Sequence, residues 1–415
     1  MTLIKTSLLN SIAVVIKMLT LLGLNKILAI YVGPAGYAAL GQFQSAMQMI
    51  TTLASGAITT GVVKYTAEYH ENIEKQHAIW RTASGISLVG TLIIATIVVV
   101  FRDWLAEWFL KDKDYADVFV WFSVTLIFFV FNALLLAILN GKKEIHRYVV
   151  ANIAGSMFAF IVTTVMVIYL ELYGALVALA IYQSLAFFIT AFLVSKAEWF
   201  KVAYFFGAVD FLALKGLAKY TIMALTTALC VPLSHILIRK HIGETIGWNE
   251  AGYWEAMWRL SSAYLMVVTT TLSVYYLPRL SELKDAREIK KEVLQGYKII
   301  LPVAALCGFL VYLMRDLIIH LLFSEQFSGM NVLFGWQMVG DTLKIGSWLL
   351  GCVLIAKAFF KIYIVSEILF SIFFYAAIYF LSGIYGVEST AISYAISYAF
   401  HLLGMFLSLR YMKVI

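Results

Sequence analysis

The sequence predicts an all-α integral membrane protein. Twelve transmembrane helices are expected, as two six-helix bundles related by a pseudo-two-fold axis along the membrane normal. Three observations lead there. Hydrophobic residues make up 62% of the chain and charged residues 13%, with a mean hydropathy of +0.88; a soluble domain carries about 45–50% apolar and about 25% charged residues. The apolar residues fall in long runs, near the roughly 20 that a helix needs to cross the hydrocarbon, and they do not alternate as barrel strands would. The triplet Ala35-Gly36-Tyr37 of "GPAGYAALGQ" returns as Ala251-Gly252-Tyr253 of "NEAGYWEAMW".

The expected spans are 8–31, 38–62, 82–101, 116–139, 148–169, 173–195, 217–238, 253–277, 297–315, 331–356, 360–381 and 385–409. The first is a retained span rather than a signal peptide, because Lys17 interrupts its apolar run and no small-residue cleavage site follows. The second begins after Gly33-Pro34, which stops one helix and starts the next. Spans three to six follow in order. Pro232 should kink the seventh. The eighth follows the second triplet. "RDLIIHLLF" (Arg315 to Phe323) extends the ninth as a short amphipathic, interfacial piece, and spans ten to twelve complete the second set.

Lys and Arg orient the chain. Twenty-one fall in the connections that include both termini and six in the opposite set, among them Arg239 and Lys240; the remaining four, Lys17, Lys26, Arg259 and Lys344, lie inside spans. Both termini are therefore expected in the cytoplasm, and the formal net charge of +7 is topogenic, with no nucleic-acid partner implied. The two triplets then mark the same outer turn of two like-oriented halves, 1–200 and 217–415, joined by a cytoplasmic link at 201–216. Transporters are commonly built from such repeats, with the substrate site between them. The outer loops are too short for an extracytoplasmic catalytic domain. Cys230, Cys307 and Cys352 sit in apolar runs and read as small buried hydrophobes. There is no GxxxxGK[ST] loop, no HExxH and no metal-ligand cluster, so no cofactor and no enzymatic activity are expected.

Charges within spans are costly in lipid and face a cavity or the bundle interior. Lys17 shares a helical face with Asn10 near mid-membrane, while Lys26 either faces the cavity or snorkels to the outer interface. Ser45, Gln48, Thr52, Ser55 and Thr59 form one polar stripe on span two, lining a chamber or bonding between helices. Glu255, Arg259, Ser262, Met266, Thr270 and Ser273 form another on span eight, with Glu255 and Arg259 in the favourable i,i+4 order. Gln337, Asp341, Lys344 and Trp348 share a face of span ten, where Asp341 and Lys344 either neutralise each other or line a cavity. His235 is a proton-carrier candidate by residue type alone. The balance is mildly basic, which suits a phosphate or pyrophosphate.

"FGWQMVGDTLKIGSWLLG" (Phe334 to Gly351), "GVVKYTAEYHEN" (Gly61 to Asn72), "LPRLSEL", "LLFSEQF" and "GPAG" resemble segments of the Wzx-type flippases for lipid-linked oligosaccharides, and most closely the branch that handles the lipid III intermediate of enterobacterial common antigen. The resemblance runs along the whole chain, in order. It implies the multidrug/oligosaccharidyl-lipid/polysaccharide flippase superfamily, a V-shaped chamber and alternating access. The implied substrate is an undecaprenyl-pyrophosphate-linked repeat unit of O-antigen or common-antigen type, moved across the bacterial inner membrane. Lys17, Lys26, Arg259, Asp341 and Lys344 match the pattern of charged chamber residues that the resemblance implies. With the reading of the spans, Lys17, Lys26, Arg259 and Lys344 are expected to meet the headgroup, Asp341, Glu255 and His235 to be ion-pair or coupling groups, and Ser45, Gln48, Thr52, Ser55, Ser262 and Thr270 to line the chamber. The pathway's polymerase and chain-length regulator are expected partners, and the chain is expected to act as a monomer. The competing readings are a multidrug or cation antiporter of the same superfamily and a membrane-embedded glycan polymerase.

Overall fold

The computed structural model describes residues 3–272, 276–283, 285–357, 359–412 and 414. Of the polar stripes, the side chain of Asn10 and the whole of Ser273 lie outside the described set. The described elements are helical: α1 Leu3–Tyr31, α2 Gly33–Ser55, α3 Thr59–Glu68, α4 Ile73–Val100, α5 Arg102–Leu110, α6 Ala116–Gly141, α7 Ile145–Ser195, α8 Phe211–Thr245, α9 Trp248–Thr271, α10 Leu277–Glu282, α11 Ala286–Leu313, α12 Arg315–Leu322, α13 Phe334–Ala356, α14 Phe360–Tyr385 and α15 Glu388–Tyr411. No strand occurs among the described residues, since backbone groups facing hydrocarbon must be satisfied within their own segment.

Eight described segments are long and apolar enough to cross a membrane, or nine if the bent pair α2–α3 is one span. That pair turns by 47° at Gly56 and Ala57, both in the left-handed region. The 51-residue α7 breaks at Glu171 (φ 48°, ψ −126°) and covers two of the expected spans. Helices α8 and α9 coincide with the seventh and eighth expected spans but are not among the eight; they carry the buried charges described below. "RDLIIHLL" of the segment expected to extend the ninth span forms a short helix of its own, α12, after a break at Met314.

Contacts divide the chain into two compact units: Met1–Leu24 with Ala39–Pro232, and Asn25–Ala38 with Leu233–Ile415. The division falls at Pro232 within α8. The 201–216 segment folds into the first unit, where Phe205 is buried with Ile58, Trp80 and Ile138. Small residues let the helices of this unit approach closely: a Cβ on Gly90 of α4 would lie 2.4 Å from the Ala54 carbonyl oxygen of α2.

In the second unit the two repeated triplets meet. A Cβ on Gly252 would lie 1.8 Å from the Pro34 carbonyl oxygen, so only glycine fits there. Tyr37, fully buried, and Tyr253 both pack on Phe327, with ring centroids 5.1 and 6.2 Å away. Both units expose apolar side chains outward, such as Leu92, Phe192 and Phe380, as a lipid-facing surface requires.

Candidate ion-binding site in the second unit

Helix α13 presents Gln337, Asp341 and Lys344 at spacings of four and three, which places them on one face. Asp341 is 2% exposed. Its Oδ2 accepts from Ser261 Oγ (2.7 Å) and Tyr264 OH (2.5 Å) on α9, and its Oδ1 from Tyr394 OH (2.9 Å) on α15 and Gln337 Nε2 (3.4 Å). Gln337 also donates to Ser261 Oγ at 3.1 Å. Four neutral donors thus satisfy one buried carboxylate, as a charge out of water requires. Gly340 makes this possible: a Cβ there would sit 2.2 Å from the Tyr394 ring.

Lys344 does not pair with Asp341. Its Nζ lies 4.7 Å from the Trp258 ring centroid and 5.9 Å from those of Tyr394 and Tyr398. Ring faces attract a cation without neutralising it. Two carboxylates act on it electrostatically, Asp341 and Glu367 of α14.

One side of the cage continues into a second cluster. Trp258 packs on Trp254 at 6.2 Å, and Trp254 lies 5.8 Å from the Arg239 guanidinium. Glu255 accepts from Arg239 at 3.2 Å and from Arg259 at 2.8 Å. The Arg239 side chain is 1% exposed and that of Arg259 18%. One carboxylate between two guanidiniums leaves the triad with a net positive charge. Arg259 also lies 5.3 Å from the Tyr37 ring, which carries the first triplet into this cluster. His235 sits edge-on to Trp258 (4.2 Å) and Trp254 (5.2 Å), bridging the two parts.

Four of the residues singled out from the sequence, Glu255, Arg259, Asp341 and Lys344, therefore form one connected network with His235. Arg239 is a correction: counted with the outer connection, it is instead buried in α8, which runs on to Thr245. Lys26 donates to the carbonyl oxygens of His320 (2.8 Å) and Phe323 (2.5 Å), at the C-terminal end of α12, where a cation is favoured. Lys17 is exposed. Ser45 and Ser55 are buried, Thr52 and Thr270 half-buried, and Gln48 and Ser262 exposed. The serine that reaches Asp341 is Ser261, the neighbour of the predicted Ser262. Sequence reasoning also missed Tyr264, Tyr394, Tyr398, Trp258 and Glu367. The tyrosines carried a signal, since a Tyr buried in a bundle needs a partner for its hydroxyl and Tyr394 and Tyr398 stand four apart on one helix. Among the described residues, no three His, Cys, Asp or Glu side chains gather as a metal ion would require.

Residues 27–332 match the family model described as polysaccharide biosynthesis protein. The chain belongs to this family. It is 32% identical over 368 residues to the lipid III flippase of Escherichia coli (strain K12), covering 89% of this chain and 88% of that one, with the same figures for the lipid III flippase of Shigella flexneri. Among solved structures it is similar to an inward-facing multidrug resistance MATE family transporter of the MOP superfamily (TM-score 0.78, 14% identity, 96% and 94% of the two chains). It is also similar to the lipid II flippase MurJ in an inward closed conformation (TM-score 0.74, 13% identity, 98% and 87%). These likenesses show the fold.

In this polysaccharide biosynthesis protein the motif "GVVKYTAEYHEN" has a structural task in the first unit. Trp80 Nε1 donates to Thr66 Oγ1 (3.0 Å) and Gln76 Nε2 to the Thr66 carbonyl (2.6 Å). Gly141 of "ILNGKKE" fits directly against Thr66. Lys142 lies between the Trp80 and Trp199 rings at 5.8 and 5.5 Å. Burial holds its ammonium below the usual lysine range, with Glu144 pulling the other way.

Proposed function

We propose that this family member is a flippase. It moves an undecaprenyl-pyrophosphate-linked oligosaccharide from the cytoplasmic to the periplasmic leaflet of the bacterial inner membrane by alternating access. Both termini lie in the cytoplasm, and the chain acts as a monomer beside the pathway's polymerase and chain-length regulator. It is a transporter rather than an enzyme. The relatives named as lipid III flippases support this substrate class.

The observation that carries the reading is Lys344, a half-buried cation held on ring faces with Asp341 and Glu367 acting on it through space, beside a triad that is itself net positive. Across the network the three cations and three carboxylates balance, but the Arg239–Glu255–Arg259 triad keeps a local positive charge that suits an anionic headgroup. A charged headgroup cannot cross bare hydrocarbon unaided, and a basic polar path lowers that barrier. In this scheme Lys344, Arg259 and Lys17 meet the pyrophosphate, and the guanidinium of Arg259 suits its paired oxygens. Lys26 acts indirectly, by holding the end of α12. Asp341, Glu255 and His235 are the coupling candidates. Ser45, Gln48, Thr52, Ser55, Ser262 and Thr270 line the path of the glycan.

The test is transport of a defined lipid-linked glycan in vesicles. Lys344→Ala and Lys17→Ala should each abolish movement while the protein still reaches the membrane. Full transport by both variants would overturn the residue assignment. Ethidium efflux without glycan transport would instead favour the antiporter reading.

A further inference from the structure

Away from the ion network, helices α14 and α15 of the second unit enclose a groove of about 510 Å³. That is within the range of roughly 300–1,000 Å³ typical of small-molecule sites. It runs from Lys361 to Phe373 along α14, about 18 Å at 1.5 Å per residue. This is somewhat more than half of a hydrocarbon core about 30 Å thick, so the groove is about one leaflet deep. Its walls are mostly apolar, and Val365, Leu369 and Phe400 are more than half exposed. Phe373 and Phe400, 4.7 Å apart, mark the far end.

Two features set this groove apart from an ordinary lipid-facing crease. The first is charge. Lys361 stands at the end that the Lys and Arg distribution assigns to the cytoplasmic side, and no ion pair of Lys361 occurs among the described residues. The second is space. Gly404 lines the floor, and a Cβ built on it meets nothing within 4 Å. Ser397 also lines the groove; it is 1% exposed and its hydroxyl has no partner. The lining is therefore open at its middle, with one cation at one end. A phosphoglyceride carries two chains on a glycerol spacer, whereas a polyprenyl phosphate carries one chain directly on its phosphate. One groove with one terminal ammonium matches the second.

We propose that the α14–α15 groove holds the isoprenoid chain of the transported lipid, with its phosphate end on Lys361. The proposal rests on the flippase reading: the groove takes the prenyl chain, which the ion network does not touch, and Lys361 meets the phosphate at the cytoplasmic face before it passes to the ion network. The test uses the full-length protein in detergent and undecaprenyl phosphate as probe, with retention read by native mass spectrometry. Gly404→Leu fills the open floor, and Lys361→Glu reverses the end charge. The wild type should retain the prenyl phosphate, and each variant should weaken retention at least ten-fold at unchanged melting temperature. Lys361→Arg should restore it. Equal retention by the wild type and Gly404→Leu would overturn the proposal. So would equal displacement by phosphatidylglycerol, which would make the groove a general lipid site. Glycan transport in vesicles is measured separately: retention in the groove without transport would sink the flippase reading and leave the groove assignment standing.

Discussion

The two units spend their polar residues differently. In the first, the hydroxyls of the α2 stripe return to their own helix: Thr51 to the Met47 carbonyl at 2.7 Å, Thr52 to that of Gln48 at 2.7 Å and Ser55 to that of Thr52 at 3.1 Å. Thr190 of α7 does the same with Ala186. Such bonds satisfy a side chain without recruiting a second helix. In the second unit, buried charged groups bind across helices, whereas cross-helix bonds of the first unit such as Trp80 to Thr66 and Ser184 to the Thr125 carbonyl join neutral groups. Glu255 of α9 takes Arg239 from α8, and Asp341 of α13 takes hydroxyls from α9 and α15. The buried ion chemistry thus gathers in the second unit. The cross-helix network constrains geometry, because each of its buried charges depends on a partner from another element.

The comparison breaks most visibly at Glu255. Replacing it with Gln removes the carboxylate that the buried Arg239 shares with Arg259, and removing one partner of a buried pair costs about 3–5 kcal/mol. Melting of the purified protein should fall accordingly, and Arg239→Met in the same chain should recover more than half of the loss. Asp341→Leu comes next. It strands the hydroxyls of Ser261, Tyr264 and Tyr394, and leaving buried polar groups unsatisfied in this way costs about 1–3 kcal/mol. Asp341→Asn should cost less, since an amide oxygen still accepts from two of the three. Lys344→Ala should lower stability by about 2 kcal/mol at most, the scale of a desolvated cation–π contact, yet remove transport. Lys344→Arg should keep part of it. A transport loss no larger than the stability loss explains would assign Lys344 to structure alone.

How much of this was legible follows from individual residues. The α13 stripe could be read because Gln337, Asp341 and Lys344 are spaced by four and three, so periodicity alone put them on one face. On α9 the same reasoning chose Ser262. Its neighbour Ser261 points about 100° away at 3.6 residues per turn, and hydropathy does not settle which serine turns inward. Arg239 was assigned to a connection because α8 outlasts its apolar run by several residues. Glu367 is a lone charge in an apolar stretch, visible only once α14 is placed against Lys344. Lys26, expected in the cavity or snorkelling to the interface, instead caps α12, and its partners lie 294 and 297 positions away, a distance no local pattern spans. The repeated triplet gave more than its three letters suggested: Gly252 seats on Pro34, and both tyrosines close on Phe327.

The smallest effects test the first unit's side of the comparison. Thr52 and Gln48 are four apart on the α2 stripe but differ in what they have left to offer. The Thr52 hydroxyl is engaged with the Gln48 carbonyl, whereas the Gln48 side chain is exposed. Thr52→Val removes only a local bond and should change stability by no more than about 0.5 kcal/mol, as for substitutions away from packed features, and should slow transport less than Gln48→Leu does. Gln48→Leu should leave melting equally unmoved but slow glycan transport a few-fold, because an amide that could bind sugar hydroxyls is gone. Equal transport by the two variants would mean that the α2 stripe serves helix packing only, and the polar path would then belong to the second unit alone.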